Sequence, residues 1–187
     1  SSDLNAHVVR VPVWKGDDAS GLLDQWVRRD DFVGNLKIGS EEYPACCHYR
    51  PDTLKGDAKM VETNIAGDFP QVDPRRAGLS RKLTAMITGS VDGRPGGSAL
   101  AVQDWSSGKA EIYDFGSQYM VEEHLFIPKP SSTSERDSWI IGTAINTRAQ
   151  RSEVWAFDAS NVEDGPVAVW QADYAWPLGF HGTWAGA

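Results

Sequence analysis

Three times in this chain an aspartate closes an extended run, a short polar turn follows, a glycine ends the turn and a second extended run begins. The three instances are Asp52 to Gly56, Asp104 to Gly108 and Asp158 to Gly165, with the aspartates 52 and 54 residues apart. Aspartate bonds its own local backbone in a tight turn, and glycine accepts the positive φ that closes one. A repeat near this length suits a four-stranded antiparallel unit, the blade of a β-propeller. Three units do not close a ring, so the pattern predicts part of a larger propeller.

The runs between the turns agree with an all-β chain. Strands are predicted over 82–88, 98–104, 110–115, 124–128, 139–146, 153–158 and 167–172, with an edge strand over 8–14, where Pro12 interrupts the ladder. Eight tryptophans in 187 residues add to the strand bias, because aromatic side chains pack well on a pleated surface. One short helix is predicted near the N-terminus. Asp18 and Ser20 can cap it, Leu22, Leu23, Trp26 and Val27 recur at helical spacing, and it should stop between Asp30 and Gly34. The polar stretch from Pro128 to Ser134 reads as a loop between blades. Residues 1–187 are thus expected to form one partial propeller within a single larger domain.

Charge narrows the function. The formal net charge is −8, and the densest basic cluster, Arg75, Arg76, Arg81 and Lys82, is flanked by acidic segments. A nucleic-acid partner is excluded on that ground, since it requires a basic face to displace counterions. The adjacent Cys46 and Cys47 suit two buried strand residues better than a disulfide, and free thiols suit a reducing, cytoplasmic setting. No run of apolar residues reaches membrane-spanning length, and contact with a membrane surface is left open. There is no Gly-x-Ser-x-Gly elbow for a hydrolase and no phosphate-cradling loop. The chain lacks an initiator Met, which suggests that it begins inside a longer protein.

Of the four histidines, His7, His48, His124 and His181, only the last has a suggestive setting. It lies in Pro177-Leu178-Gly179-Phe180-His181-Gly182-Thr183-Trp184, where flanking glycines allow close approach and the surroundings are apolar. An imidazole there needs a partner at each nitrogen: a metal or donor on one side, an acceptor on the other. The residues alone leave open a hydrogen-bonded core histidine or a metal ligand.

That stretch resembles the C-terminal signature of the carotenoid cleavage oxygenases, the family of apocarotenoid and lignostilbene dioxygenases and of the retinal pigment epithelium isomerohydrolase. Two earlier blocks agree in order. Asp68-Phe69-Pro70-Gln71-Val72-Asp73 with Gly78 resembles the family's Glu-Phe-Pro-x-Ile-Asp-x-x-x-x-Gly, and Tyr113-Asp114-Phe115-Gly116, followed by Glu123-His124-Leu125-Phe126-Ile127-Pro128, resembles its Gly-Glu-Pro-x-Phe-Val-Pro block. The resemblance implies a seven-bladed propeller with a ferrous ion on its axis, held by four neutral imidazoles. It also implies glutamates that accept the other N–H of some of those ligands. The implied reaction adds dioxygen across a conjugated C=C bond of an apolar substrate, a carotenoid, apocarotenoid or stilbene, and gives two carbonyl fragments.

Residue by residue, the resemblance makes His181 the last iron ligand and Glu123 a supporting carboxylate. Asp68 stands for the other glutamate, one methylene shorter. His124 replaces a proline and is not taken as a ligand. Near the start, Asp3 to His7 is similar to the end of the stretch that carries the third ligand, and Ser2 falls at the ligand position. The remaining ligands are expected from the N-terminal remainder of the propeller, so this chain by itself should be inactive. The competing reading is a propeller-type binding module without catalysis.

Overall fold

The computed structural model describes residues 6–9, 45–52, 57–89, 97–179 and 181–185. The helix expected between Asp18 and Gly34 lies outside these residues. The described chain forms eleven strands: β1 (Ala6–Val9), β2 (Ala45–Asp52), β3 (Asp57–Ala66), β4 (Asp68–Gln71), β5 (Leu83–Thr88), β6 (Ala99–Asp104), β7 (Ala110–Asp114), β8 (Tyr119–Pro128), β9 (Ser138–Asn146), β10 (Arg151–Asp158) and β11 (Pro166–Gln171). They make three antiparallel meanders in sequence order: β1-β2-β3, then β4-β5-β6-β7, then β8-β9-β10-β11. In the second and third sheets short connections between consecutive strands give this order, since each places the next strand beside the last.

The sheets stack face to face. Leu83, Ile87, Leu100 and Val102 of the second sheet meet Val121, Phe126, Ile140, Trp155 and Phe157 of the third in one core. Behind it, Met86 and Ala101 pack on Ile65 and Trp105, so β5 and β6 are buried along both faces. That explains why 82–88 and 98–104 read as nearly continuous apolar runs rather than as alternating ones.

The aspartate repeat has a structural basis. Asp104 ends β6 and Asp158 ends β10, at matching places in their sheets. Each uses Oδ1 to accept the backbone N–H of a serine two residues on, Ser106 at 2.8 Å and Ser160 at 2.9 Å. Gly108 and Gly165 close the turns at φ of 74° and 91°. The turn from residue 53 to 56 lies outside the described residues, although β2 and β3 flank it as the repeat requires. The second oxygen of each aspartate takes a cation from the one loop between β8 and β9. Arg136 reaches Asp104 at 3.3 Å, and Lys129 reaches Asp158 at 2.7 Å. Burial, the largest influence on Asp104, pushes its pKa up. The Ser106 and Ser107 donors and Arg136 outweigh it and hold the carboxyl at about 2.

The same loop ties β8–β9 to the preceding sheet. Asp73 caps a 3-10 turn at Pro74–Arg76, and its carboxylate carries Arg75, whose guanidinium bonds the Ser132 and Ser134 carbonyls at 2.7 and 2.8 Å. Glu135, buried, accepts the N–H of Leu83 and of Lys82 at 2.8 Å. The polar loop read from the sequence is therefore a strap between sheets.

Candidate metal centre

Two irregular edge strands face each other where the second and third sheets meet, and the candidate site sits between them. In β4 the register shifts between Asp68 and Gln71, and Phe69 adopts a left-handed φ of 53°. In β8 the register shifts between Val121, opposite Ala144, and His124, opposite Gly142. Glu122 and Glu123 together thus oppose the single residue Thr143, a β-bulge. A regular strand sends successive side chains to opposite faces. Here both carboxylates reach the same segment, residues 179–182.

Glu123 lies at the centre. Its Oε1 is 3.0 Å from His181 Nδ1 and accepts Gln71 Nε2 at 2.5 Å, while Oε2 accepts the Gly182 N–H at 2.7 Å. The carboxylate is almost fully buried, whereas the His181 side chain is 73% exposed. His181 is therefore not a core histidine. One nitrogen rests on a buried acceptor while the ring stands at a cleft of roughly 210 Å³, walled partly by Leu125, Ile127, Ile141, Val154 and Trp184. An acceptor on Nδ1 fixes the tautomer with the proton there and leaves Nε2 as the basic nitrogen. This is how a metal-ligating histidine is prepared, so the residues present fit a metal at this position.

Of the two supporting carboxylates implied by the resemblance, Glu123 is the one in contact with His181. Asp68 Oδ1 accepts the N–H of its own neighbour Phe69 at 2.7 Å. From β4 the Phe69 ring also meets His181, with centroids 5.9 Å apart and the planes at 64°. Among the described residues there is no group of three or more metal-ligating side chains. His7 pairs with His48 across β1 and β2, and its side chain lies outside the described residues.

Three contributors escaped the sequence reading. Gln71 and Gly182 hold Glu123, and Glu122 holds the segment next to it, accepting the Gly179 N–H and the Thr143 hydroxyl, each at 2.5 Å. Burial raises the Glu122 pKa against the lowering effect of those two donors. The available signal was the Glu122-Glu123 doublet, which breaks the alternation of β8.

His124, which the sequence reading did not take as a ligand, is 1% exposed. Its Nδ1 lies 2.8 Å from the Glu122 carbonyl, and its ring packs on Phe115 and Phe157 at 5.8 and 6.0 Å. Burial drives its pKa down to about 4, against the raising effect of the Glu122 carbonyl. The sign follows. Above the unfolded value near 6.5 neither state is charged. Below it the unfolded chain gains a proton that the folded chain refuses. Stability should therefore fall by about 3 kcal/mol between pH 6.5 and pH 4. Urea denaturation at pH 7 and pH 4.5 checks this, with His124→Asn expected to flatten the dependence. An equally steep loss in that variant would assign it to other groups.

The comparisons with known proteins match this geometry. The model of the retinal pigment epithelial membrane protein family matches residues 20–186. Lignostilbene-alpha,beta-dioxygenase isozyme III of Sphingomonas paucimobilis is 27% identical over 135 residues, which cover 67% of this chain and 28% of that protein. Apocarotenoid-15,15'-oxygenase of Synechocystis is 26% identical over 130 residues, covering 68% of this chain and 26% of that one. The crystal structure of cobalt-substituted Synechocystis apocarotenoid oxygenase superposes with a TM-score of 0.70 at 20% identity, over 78% of this chain and 31% of that chain. The chain thus spans less than a third of the relatives it matches, and the likeness establishes the expected all-β fold, blades of a β-propeller. By the family model, by its relatives and by its fold, the chain belongs to the retinal pigment epithelial membrane protein family, that of the carotenoid cleavage oxygenases.

Proposed function

We propose that the protein containing this chain is an iron-dependent dioxygenase that cleaves a conjugated C=C bond of an apolar carotenoid, apocarotenoid or stilbene, and that His181 supplies one ligand to its Fe(2+). The observation that carries this reading is the contact of His181 Nδ1 with buried Glu123 at 3.0 Å, on a histidine that lines the cleft. The names of the relatives support the reaction class: they are a lignostilbene dioxygenase, an apocarotenoid oxygenase and resveratrol cleavage oxygenases.

Ferrous iron, when bound, supplies dioxygen binding and activation. This chain's own residues do the rest of their part by position. His181 Nε2 would face the metal. Glu123 would hold the imidazole oriented through Nδ1, and Gln71 and Gly182 would fix Glu123. Leu125, Ile127, Ile141 and Trp184 give the cleft an apolar wall, which suits a polyene or stilbene better than a charged substrate. The remaining ligands and walls would come from the rest of the protein.

Incubating the intact, iron-loaded protein aerobically with a stilbene and with an apocarotenoid tests the reading. Aldehyde products in equimolar pairs are expected from at least one of them. Absence of cleavage by a folded, iron-replete protein would favour the non-catalytic binding module.

A further inference from the structure

Two departures from the family block bracket Glu123. Glu122 stands where the block has Gly, and His124 stands where it has Pro. The structure joins them: His124 Nδ1 lies 2.8 Å from the Glu122 carbonyl, across the bulge that lets Glu122 and Glu123 face the same way. A residue at a bulge leaves the strand ladder with unpaired polar groups. His124 donates to one of these, the Glu122 carbonyl. Its ring cannot drift, because Phe115 and Phe157 flank it and Gly142 lies directly opposite, where an added Cβ would strike the imidazole.

The consequence lies on the segment 179–182. Glu122 Oε1 accepts the Gly179 N–H at 2.5 Å, and Glu123 Oε2 accepts the Gly182 N–H at 2.7 Å. Those amides lie on either side of His181 in the chain. Thr143, the single residue opposite the doublet, donates its hydroxyl to Glu122 Oε2 at 2.5 Å and fixes that carboxylate in turn.

We propose that Glu122 and His124 are positioning residues for His181: His124 pins the bulge, and Glu122 uses it to fasten Gly179, so that two adjacent carboxylates clamp the histidine's segment at both ends. Neither touches the reacting atoms. The clamp holds without metal, and only its bearing on iron rests on the function proposed above.

Hydrogen exchange of the Gly179 and Gly182 amides in the intact apoprotein reads the clamp directly, with Leu100 and Ala101 of the central sheet as reference. Glu122→Ala should speed exchange at both glycines about tenfold or more while Leu100 and Ala101 stay unchanged. Glu122→Gln, which keeps an oxygen for Gly179, should restore protection. His124→Leu should act like Glu122→Ala. His124→Asn, whose amide nitrogen can take the place of Nδ1, should retain protection. In the metal-loaded protein the iron dissociation constant should rise about tenfold in the same two variants and recover in their conservative partners.

If Glu122→Ala frees Gly179 alone and leaves Gly182 and iron affinity as they were, the proposal is overturned, and likewise if His124→Leu exchanges as wild type. Should His124→Leu not fold, the Glu122 pair decides. Wild-type protein that takes up no iron would overturn the dioxygenase reading and leave the exchange result to decide this one.

Discussion

Replacing Phe157 by alanine is expected to destabilise this chain by about 3–5 kcal/mol, the cost of deleting a fully enclosed aromatic side chain. Phe157 is 0% exposed and sits where the second and third sheets meet. Its ring packs on Tyr113 and Phe115 of the preceding sheet at 5.1 and 5.7 Å and lies nearly parallel to Trp155 on its own strand. The cavity left behind would remove partners from both sheets at once, and it would strip one wall from His124. Urea denaturation should show a lower midpoint at unchanged slope. Val167, 57% exposed on the edge strand β11, provides the contrast, and its alanine variant should stay within about 0.5 kcal/mol. If the Phe157 variant cost no more than that, the two sheets would not share a core.

The second large effect concerns Glu123. Its two oxygens serve three donors: His181 Nδ1, Gln71 Nε2 and the Gly182 N–H. Glutamine keeps the shape and offers one oxygen instead of two. Its amide NH2 must then confront a donor. Either the imidazole loses its acceptor or the 179–182 segment loses an anchor, and the buried group left unpaired adds its own penalty. Iron affinity of the intact protein should drop roughly 10- to 100-fold. Titration of the apoprotein with ferrous ion under anaerobic conditions measures it. A change under twofold would mean that Glu123 supports the fold rather than the metal.

Much of the architecture was legible because local chemistry writes it plainly. Asp104 and Asp158 cap their turns by bonding nearby serines, and Gly108 and Gly165 take the positive φ. Those residue types do this wherever they occur, so their spacing exposed the blade repeat. The sequence could not show that the second oxygen of each aspartate is claimed by one distant loop. Arg136 and Lys129 are ordinary charged residues until the sheets stack.

The site was legible at Glu123 and His181, which the family resemblance picked out and the fold brings within 3.0 Å. Asp68 was read by the same resemblance, and one oxygen of its carboxylate accepts the Phe69 N–H, where the chain turns through a left-handed residue. Strand alternation assumes one residue per pleat. The bulge in β8 breaks that rule, which is why the strand was predicted to begin at His124 when it begins at Tyr119. Glu122 was hidden by the same cause. Its partner His124 was unreadable because burial between sheets, not sequence neighbours, sets its environment.

The most direct measurement is the iron content of the intact protein with and without the His181 imidazole. The wild type should hold ferrous iron at one equivalent after removal of excess metal, and His181→Ala, equally folded by circular dichroism, should hold little. Undiminished iron in the alanine variant would show that this histidine, for all its contact with Glu123, is not a ligand.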